Sequence, residues 1–214
     1  MNFIQTLAIS ALPVIFAITL HEAAHGYAAR YFGDPTAWQM GRISLNPLRH
    51  VDLVGTLLLP AILLFASSGA FVFGWAKPVP VNVGNLRRPE QDMLWVAAAG
   101  PAANLMMAVG WTLLLKIVVG MPENMYSEAL KGMARVGIGW NVGLMVLNLL
   151  PVLPLDGGRM AVSLLPLRAA SKFARIEPYG LVIVVALLYF HVLDVVLDPV
   201  FRFLNGLLLG ILRF

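Results

Sequence analysis

Two histidines four residues apart, His21 and His25, enclose Glu22 in the run Thr19-Leu20-His21-Glu22-Ala23-Ala24-His25-Gly26. On an α-helix, positions i and i+4 share a face, so both imidazoles can reach one metal ion. A glutamate directly after the first histidine fits the general base of a zinc hydrolase, and the spacing is that of the HExxH zinc signature. The bland alternative is a pair of core histidines satisfied by hydrogen bonds. It is weak here, because the triplet interrupts a long apolar run, where an ionisable side chain is expensive and marks a functional site by default.

A catalytic zinc takes three protein ligands and leaves one position open. The chain has no cysteine, so the third ligand must be His, Asp or Glu. His50, His191, Asp34, Asp52, Asp156 and Asp194 remain. Asp156 is the best candidate. It follows an apolar segment and lies in Pro151-Val152-Leu153-Pro154-Leu155-Asp156-Gly157-Gly158, where proline and glycine break regular structure and let backbone carry a carboxylate inward. Taken alone, Asp156 would read as an ordinary turn residue. The others read as loop residues, or as a charge at the end of a span for Asp194.

The elements that must position these groups are apolar. Of 214 residues, 59% are hydrophobic and 12% charged, and mean hydropathy is +0.81. That balance excludes an ordinary soluble domain and implies a polytopic membrane protein. A net charge of +4 fits loop bias at one membrane face better than a nucleic-acid partner. The run from Phe3 to Tyr31 lacks a basic leader region and carries the chemistry, so we read it as a retained span and not a cleaved signal. As a helix it is long enough to cross the ~30 Å hydrocarbon layer. Between Gly33 and Val51 lie turn signals and a short mixed stretch, Ala37 to Leu45, predicted as a strand with a bulge at Gly41. Val51 to Phe73 is apolar but interrupted. Pro78-Val79-Pro80-Val81 excludes a helix and predicts an edge-type strand. Further spans are predicted over Gln91 to Val119, Gly132 to Leu150 and Pro178 to Val196, with a polar loop from Met121 to Lys131. A short helix is predicted from Met160 to Leu167, Asp198-Pro199 should break the last span, and an interfacial helix should follow from Phe201 to Phe214. The fold class is therefore mostly α: a polytopic membrane helix bundle with a small membrane-associated β element.

His21-Glu22-Ala23-Ala24-His25, taken with Asn148-Leu149-Leu150-Pro151-Val152-Leu153-Pro154-Leu155-Asp156-Gly157, closely resembles the site-2 protease family of intramembrane zinc metalloproteases. Gly100-Pro101-Ala102-Ala103-Asn104 looks like that family's central-span motif. Gly41-Arg42-Ile43-Ser44-Leu45-Asn46-Pro47 and Gly74-Trp75-Ala76-Lys77-Pro78-Val79-Pro80 look like its compact bacterial and archaeal branch without a PDZ domain. The resemblance covers most of residues 15 to 165. It implies that His21, His25 and Asp156 hold one Zn2+ ion and that Glu22 is the catalytic glutamate. It also implies that Asn148 lies near the active centre, as a partner of the oxyanion or the substrate backbone.

These readings give a single membrane-embedded metalloprotease domain over 1–214, with a catalytic core of about 3–165 and a C-terminal span and tail of about 171–214. The expected activity is hydrolysis of peptide bonds in or near the transmembrane segments of protein substrates. The expected setting is the lipid bilayer of a prokaryotic cell membrane, multi-pass, with the site toward the cytoplasm and no nucleic-acid partner. The alternative is a zinc-binding membrane protein that does not cleave, or a metal transporter. A transporter would spread ionisable groups along a path, whereas here they gather at one place. Because the histidines and Asp156 must meet at one depth, their spans should run the same way, which requires that Val51 to Phe73 re-enter without crossing. An unwound substrate could then add as a strand to Val79–Val83.

Overall fold

The computed structural model describes residues 3–68 and 74–210. The chain opens with α1, Phe3–Tyr31, which runs unbroken through the histidine pair. Gly33, at φ +112°, turns the chain, and a single helical turn follows, α2, Thr36–Gln39. This corrects the strand expected over Ala37 to Leu45. Asp34 accepts hydrogen bonds from the Thr36 amide and hydroxyl and so starts a helical turn. Gly41, at φ +64°, ends it, with its N–H on the Trp38 carbonyl.

A π-helical turn, Leu53–Leu58, is capped by the Asp52 carboxylate on the Val54 and Gly55 amides. It leads into α3, Leu59–Ala66. Together these apolar residues, Leu53–Ala66, reach about 21 Å at 1.5 Å per residue, short of the ~30 Å hydrocarbon layer. The chain then comes back to where it began. The Trp75 N–H donates to the Gly55 carbonyl at 3.0 Å, and the Thr56 hydroxyl donates to the Trp75 carbonyl at 2.9 Å. Both ends of the segment therefore lie at one level, as re-entry requires. Phe73, where the segment was expected to end, lies outside the described residues.

Residues 74–82 are extended but belong to no sheet, and there is no strand among the described residues. The expected β element is thus corrected to an extended strap. Pro78 and Pro80 supply no N–H to one edge of the strap, and on the rest of it the Val79 and Asn82 amides are bonded to the Glu22 and Asp34 carboxylates and not to a neighbouring strand. The bundle continues with α4, Pro89–Val119, and α5, Met125–Asn148. The loop expected up to Lys131 is shorter than predicted. Asn124 and Ser127 form a reciprocal cap that starts α5 at Met125. Then come α6, Asp156–Leu164; α7, Leu167–Ala174; α8, Glu177–Tyr189; and α9, Asp194–Gly210. The span expected over Pro178 to Val196 is broken after Tyr189, where His191 takes φ +57°. Pro199 sits inside α9 and does not end it. Of the expected terminal helix, residues 211–214 lie outside the described residues.

α1 and α4 are long and apolar enough to cross a membrane. Their polarity is arranged inside out. Asn104, Thr112 and Asn141 are fully buried, while Leu12, Ile15, Phe16, Met106, Leu113 and Ile117 are exposed. In water such an apolar exterior would be a liability; in lipid it is the expected surface, with polar groups joining the helices within. α4 packs on α1, α5 and α6, and Ala108, Leu115, Ala134, Ile138, Val142 and Leu208 form the core that joins α4, α5 and α9.

Two glycines two residues apart, and so on opposite faces of α5, test this packing. A Cβ at Gly137 would overlap the Trp111 ring, whereas at Gly139 it would meet nothing within 4 Å. Gly137→Ala should cost about 1–3 kcal/mol through overpacking, and Gly139→Ala should be neutral or gain up to about 1 kcal/mol from helix propensity. Unfolding midpoints in detergent would read both.

Candidate metal centre

The histidine pair of α1 and the distant Asp156 of α6 converge at the junction of α1, α4 and α6. His21 Nε2 and His25 Nε2 lie 3.1 Å apart. Asp156 Oδ2 is 3.1 Å from the first and 3.3 Å from the second. All three residues are buried.

The histidine tautomers follow from their partners. His21 Nδ1 is 2.6 Å from Asn104 Oδ1, and His25 Nδ1 is 2.7 Å from the Val96 carbonyl. Each partner oxygen only accepts, so each Nδ1 carries the proton and donates it. Both Nε2 atoms then present lone pairs to each other and to a carboxylate oxygen. Asp156 Oδ2 is buried and has no hydrogen-bond donor. Three buried acceptors in contact with no donor between them repel one another, unless a cation occupies the space they share. Their separations match the edge of a tetrahedron, about 3.3 Å for ligand bonds near 2.0 Å. By donor type, spacing and burial, His21, His25 and Asp156 fit a divalent metal such as zinc.

The surrounding chain fixes these groups. Asn104 Nδ2 donates to the Ala17 carbonyl and to Asn141 Oδ1, and Asn141 donates in turn to the Gly137 carbonyl. The two asparagines thus hold His21 against α4 and α5, which sets both its tautomer and its orientation. Gly100 is needed for contact: a Cβ there would overlap His25 Nε2 and lie 2.6 Å from His21 Cε1. On the other side, Asp156 is the first residue of α6. Gly157 and Gly158 pack directly on the backbone of Leu149, Leu150, Val152 and Leu153, so the 149–155 turn folds under the helix and delivers the carboxylate. Gly180 of α8 lies against the Leu153 carbonyl and braces that turn.

Glu22, half-buried beside the pair, accepts the Val79 N–H on Oε2 at 2.8 Å. Asn148 donates its amide to the Leu144 carbonyl of its own helix at 3.0 Å. The other residues weighed as ligands are engaged elsewhere. His50 Nε2 is on the Ser44 carbonyl, exposed His191 pairs with Asp194, Asp52 caps the π turn and Asp34 binds Thr36, Asn82 and Asn85. Sequence reasoning missed Asn141, Gly180 and the Val79 amide. Nothing in their local pattern marks them, because each acts through a contact between remote segments. Gly100→Ala and Asp156→Ala should each abolish stoichiometric zinc binding by the purified protein, measured by metal analysis. Gly110→Ala, facing open space on the same helix, should leave it intact.

No protein-family model and no solved structure matches this chain. Curated relatives do. The Bacillus subtilis protein named "Putative zinc metalloprotease YwhC" is 37% identical over 179 residues, which cover 82% of this chain and 78% of that one. Three further relatives share the name "Putative zinc metalloprotease Rip2", one from Mycolicibacterium smegmatis and two from strains of Mycobacterium tuberculosis. The Mycolicibacterium smegmatis one is 33% identical over 175 residues, 81% of this chain. The Mycobacterium tuberculosis (strain Erdman) one is 30% identical over 143 residues, 67% of this chain. The matches span 64% and 52% of those two longer proteins. The motifs, the converging ligand set and this likeness along most of the chain agree: it belongs to the site-2 protease family.

Proposed function

We propose that the protein is an intramembrane zinc endopeptidase, a single membrane-embedded domain that hydrolyses peptide bonds in or near transmembrane segments of other proteins. The observation that carries this reading is the trio of His21 Nε2, His25 Nε2 and the donor-free Asp156 Oδ2, with Glu22 beside it. The relatives' names support the reaction class, and the two long apolar helices with their exposed apolar faces support a membrane setting.

His21, His25 and Asp156 would hold the ion, which when bound supplies Lewis acidity for activating water at neutral pH. Glu22 serves as general base. With Oε2 fixed by the Val79 N–H, its other oxygen is left to accept the proton of the attacking water and later to return it to the leaving amine. Asn148, at the last turn of α5 before the Asp156 turn, is the residue we assign to the substrate backbone or the oxyanion. A peptide bond within a helix is shielded by its own hydrogen bonding, so the substrate must unwind locally before Glu22 can act on it.

Basic residues Arg30, Arg42, Arg49, Lys77, Arg87 and Arg88 gather around the C-terminal end of α1 and the strap, which supports a cytoplasmic placement of that end. In this orientation the segment from Leu53 to Ala66 enters and leaves on the cytoplasmic side. Single cysteines placed at Asp52 and Lys77 of this cysteine-free chain should react with a membrane-impermeant maleimide from the same face of sealed vesicles. Labelling from opposite faces would contradict re-entry.

The decisive test is Glu22→Gln. It should retain zinc at wild-type stoichiometry and lower cleavage of a single-span model protein by about 100-fold or more. A non-cleaving zinc protein or a transporter would show no cleavage in the wild type either, and a transporter would move zinc across proteoliposome membranes.

A further inference from the structure

The role of Glu22 directs attention to the most deeply buried carboxylate outside the metal centre. Asp34 is 0% exposed yet lies outside the metal centre, just past the end of α1. It accepts four hydrogen bonds. Oδ1 takes the Thr36 N–H at 3.0 Å, the Thr36 hydroxyl and Asn85 Nδ2 at 3.0 Å. Oδ2 takes the Asn82 N–H at 2.7 Å. Burial pushes the Asp34 carboxyl up, but the donors from Thr36, Asn85 and Asn82 outweigh it and hold the group below the usual carboxylate range. At neutral pH it is an anion that only accepts.

These bonds join two parts of the chain about fifty residues apart. Thr36 belongs to the turn that follows α1; Asn82 and Asn85 end the strap. Other bonds fix the strap further along. The Lys77 N–H donates to the His50 carbonyl at 2.8 Å, Arg42 Nη2 donates to the Lys77 carbonyl at 2.9 Å, and the Arg87 N–H donates to the Phe32 carbonyl at 3.1 Å. Between the Arg42 and Asp34 anchors lies Val79, buried, with its N–H on Glu22. A segment with prolines at 78 and 80 has no sheet to hold its register, so its ends must set where the Val79 amide points.

Resting on the reading of Glu22 as the base, we propose that Asp34 is a positioning residue for the hydrolytic reaction. It clasps the 74–82 strap beside the end of α1, so that the Val79 N–H holds one Glu22 oxygen and leaves the other aimed at water. Asp34 touches neither the ion nor the substrate. It acts three residues along the chain, through Asn82. Charged or polar anchoring of a catalytic group's support is worth a large rate factor, because small misplacements are costly.

Asp34→Asn isolates this role. The amide keeps one acceptor oxygen for Thr36 and Asn85 but turns a second donor toward the Asn82 N–H. In the full-length zinc-loaded protein, two measurements apply. With Val79→Cys as the lone thiol, maleimide labelling should be slow in the parent and at least about tenfold faster with Asp34→Asn, as the clasp opens. With native Val79, cleavage of a single-span model protein should fall about 10- to 100-fold in kcat, with KM within about twofold and zinc content unchanged. Val79→Pro deletes the N–H itself, so adding Asp34→Asn to it should cause no further loss. If Asp34→Asn does not fold, Asn82→Pro removes the same hydrogen bond from the strap side and should reproduce both effects. Unchanged labelling, or kcat losses that multiply in the double variant, would overturn the clasp. An active Glu22→Gln would instead overturn the assignment of the base and leave the labelling result standing.

Discussion

Three acceptor atoms forced together without a donor are the constraint on which this structure turns. Two imidazole nitrogens and a carboxylate oxygen within 3.3 Å of one another would separate if left to themselves. They stay because each is held from behind. The two Nδ1 protons are committed to α4, through Asn104 and the Val96 carbonyl, and Asp156 is set by the folded turn that begins α6. A cation placed among them turns the mutual repulsion of three acceptors into attraction. In a bundle with lipid outside, where association gains little from the hydrophobic effect, such buried polar contacts also decide which helices meet.

Close approach requires small residues at particular places. α4 reaches the imidazoles only because position 100 is glycine, and the turn before α6 tucks beneath its helix only because positions 157 and 158 are. The asparagines do the complementary work. Asn104 serves His21 on one side and Asn141 on the other, so α1, α4 and α5 share one buried hydrogen-bonded seam. A metal site alone would need two elements; this seam brings in a third and stiffens the whole.

Much of this was legible in the sequence. The α1 bounds, the histidine pair and the aspartate after the Pro-rich turn follow from periodicity, from the expense of ionisable groups in apolar surroundings, and from the lack of cysteine. Gly55, Pro60 and Ser67-Ser68 mark Val51 to Phe73 as interrupted, and the Trp75 N–H on the Gly55 carbonyl brings the chain back beside the start of that segment. What failed was the β element. Alternating Pro and Val does specify extended backbone, but extension is a property of one segment and a sheet needs a partner with matching donors. Likewise Ala37 to Leu45 looked mixed enough for a strand, until Asp34 and Gly41 closed it into a turn. Asn124 and Ser127, three residues apart ahead of an apolar run, carry the local pattern of a reciprocal helix cap. Asn141, Gly180 and the Val79 amide were not readable, since each matters only through what a distant segment brings to it.

The ligands are also far apart in the order of synthesis. The imidazole pair leaves the ribosome with the first helix, whereas the carboxylate that completes the set lies more than half the chain further on, after α4 and α5. Until α6 has been made and tucked under its turn, the nascent protein offers only an incomplete, two-nitrogen foothold for an ion. A chain ending before α6 has both imidazoles but lacks the carboxylate that completes the candidate site.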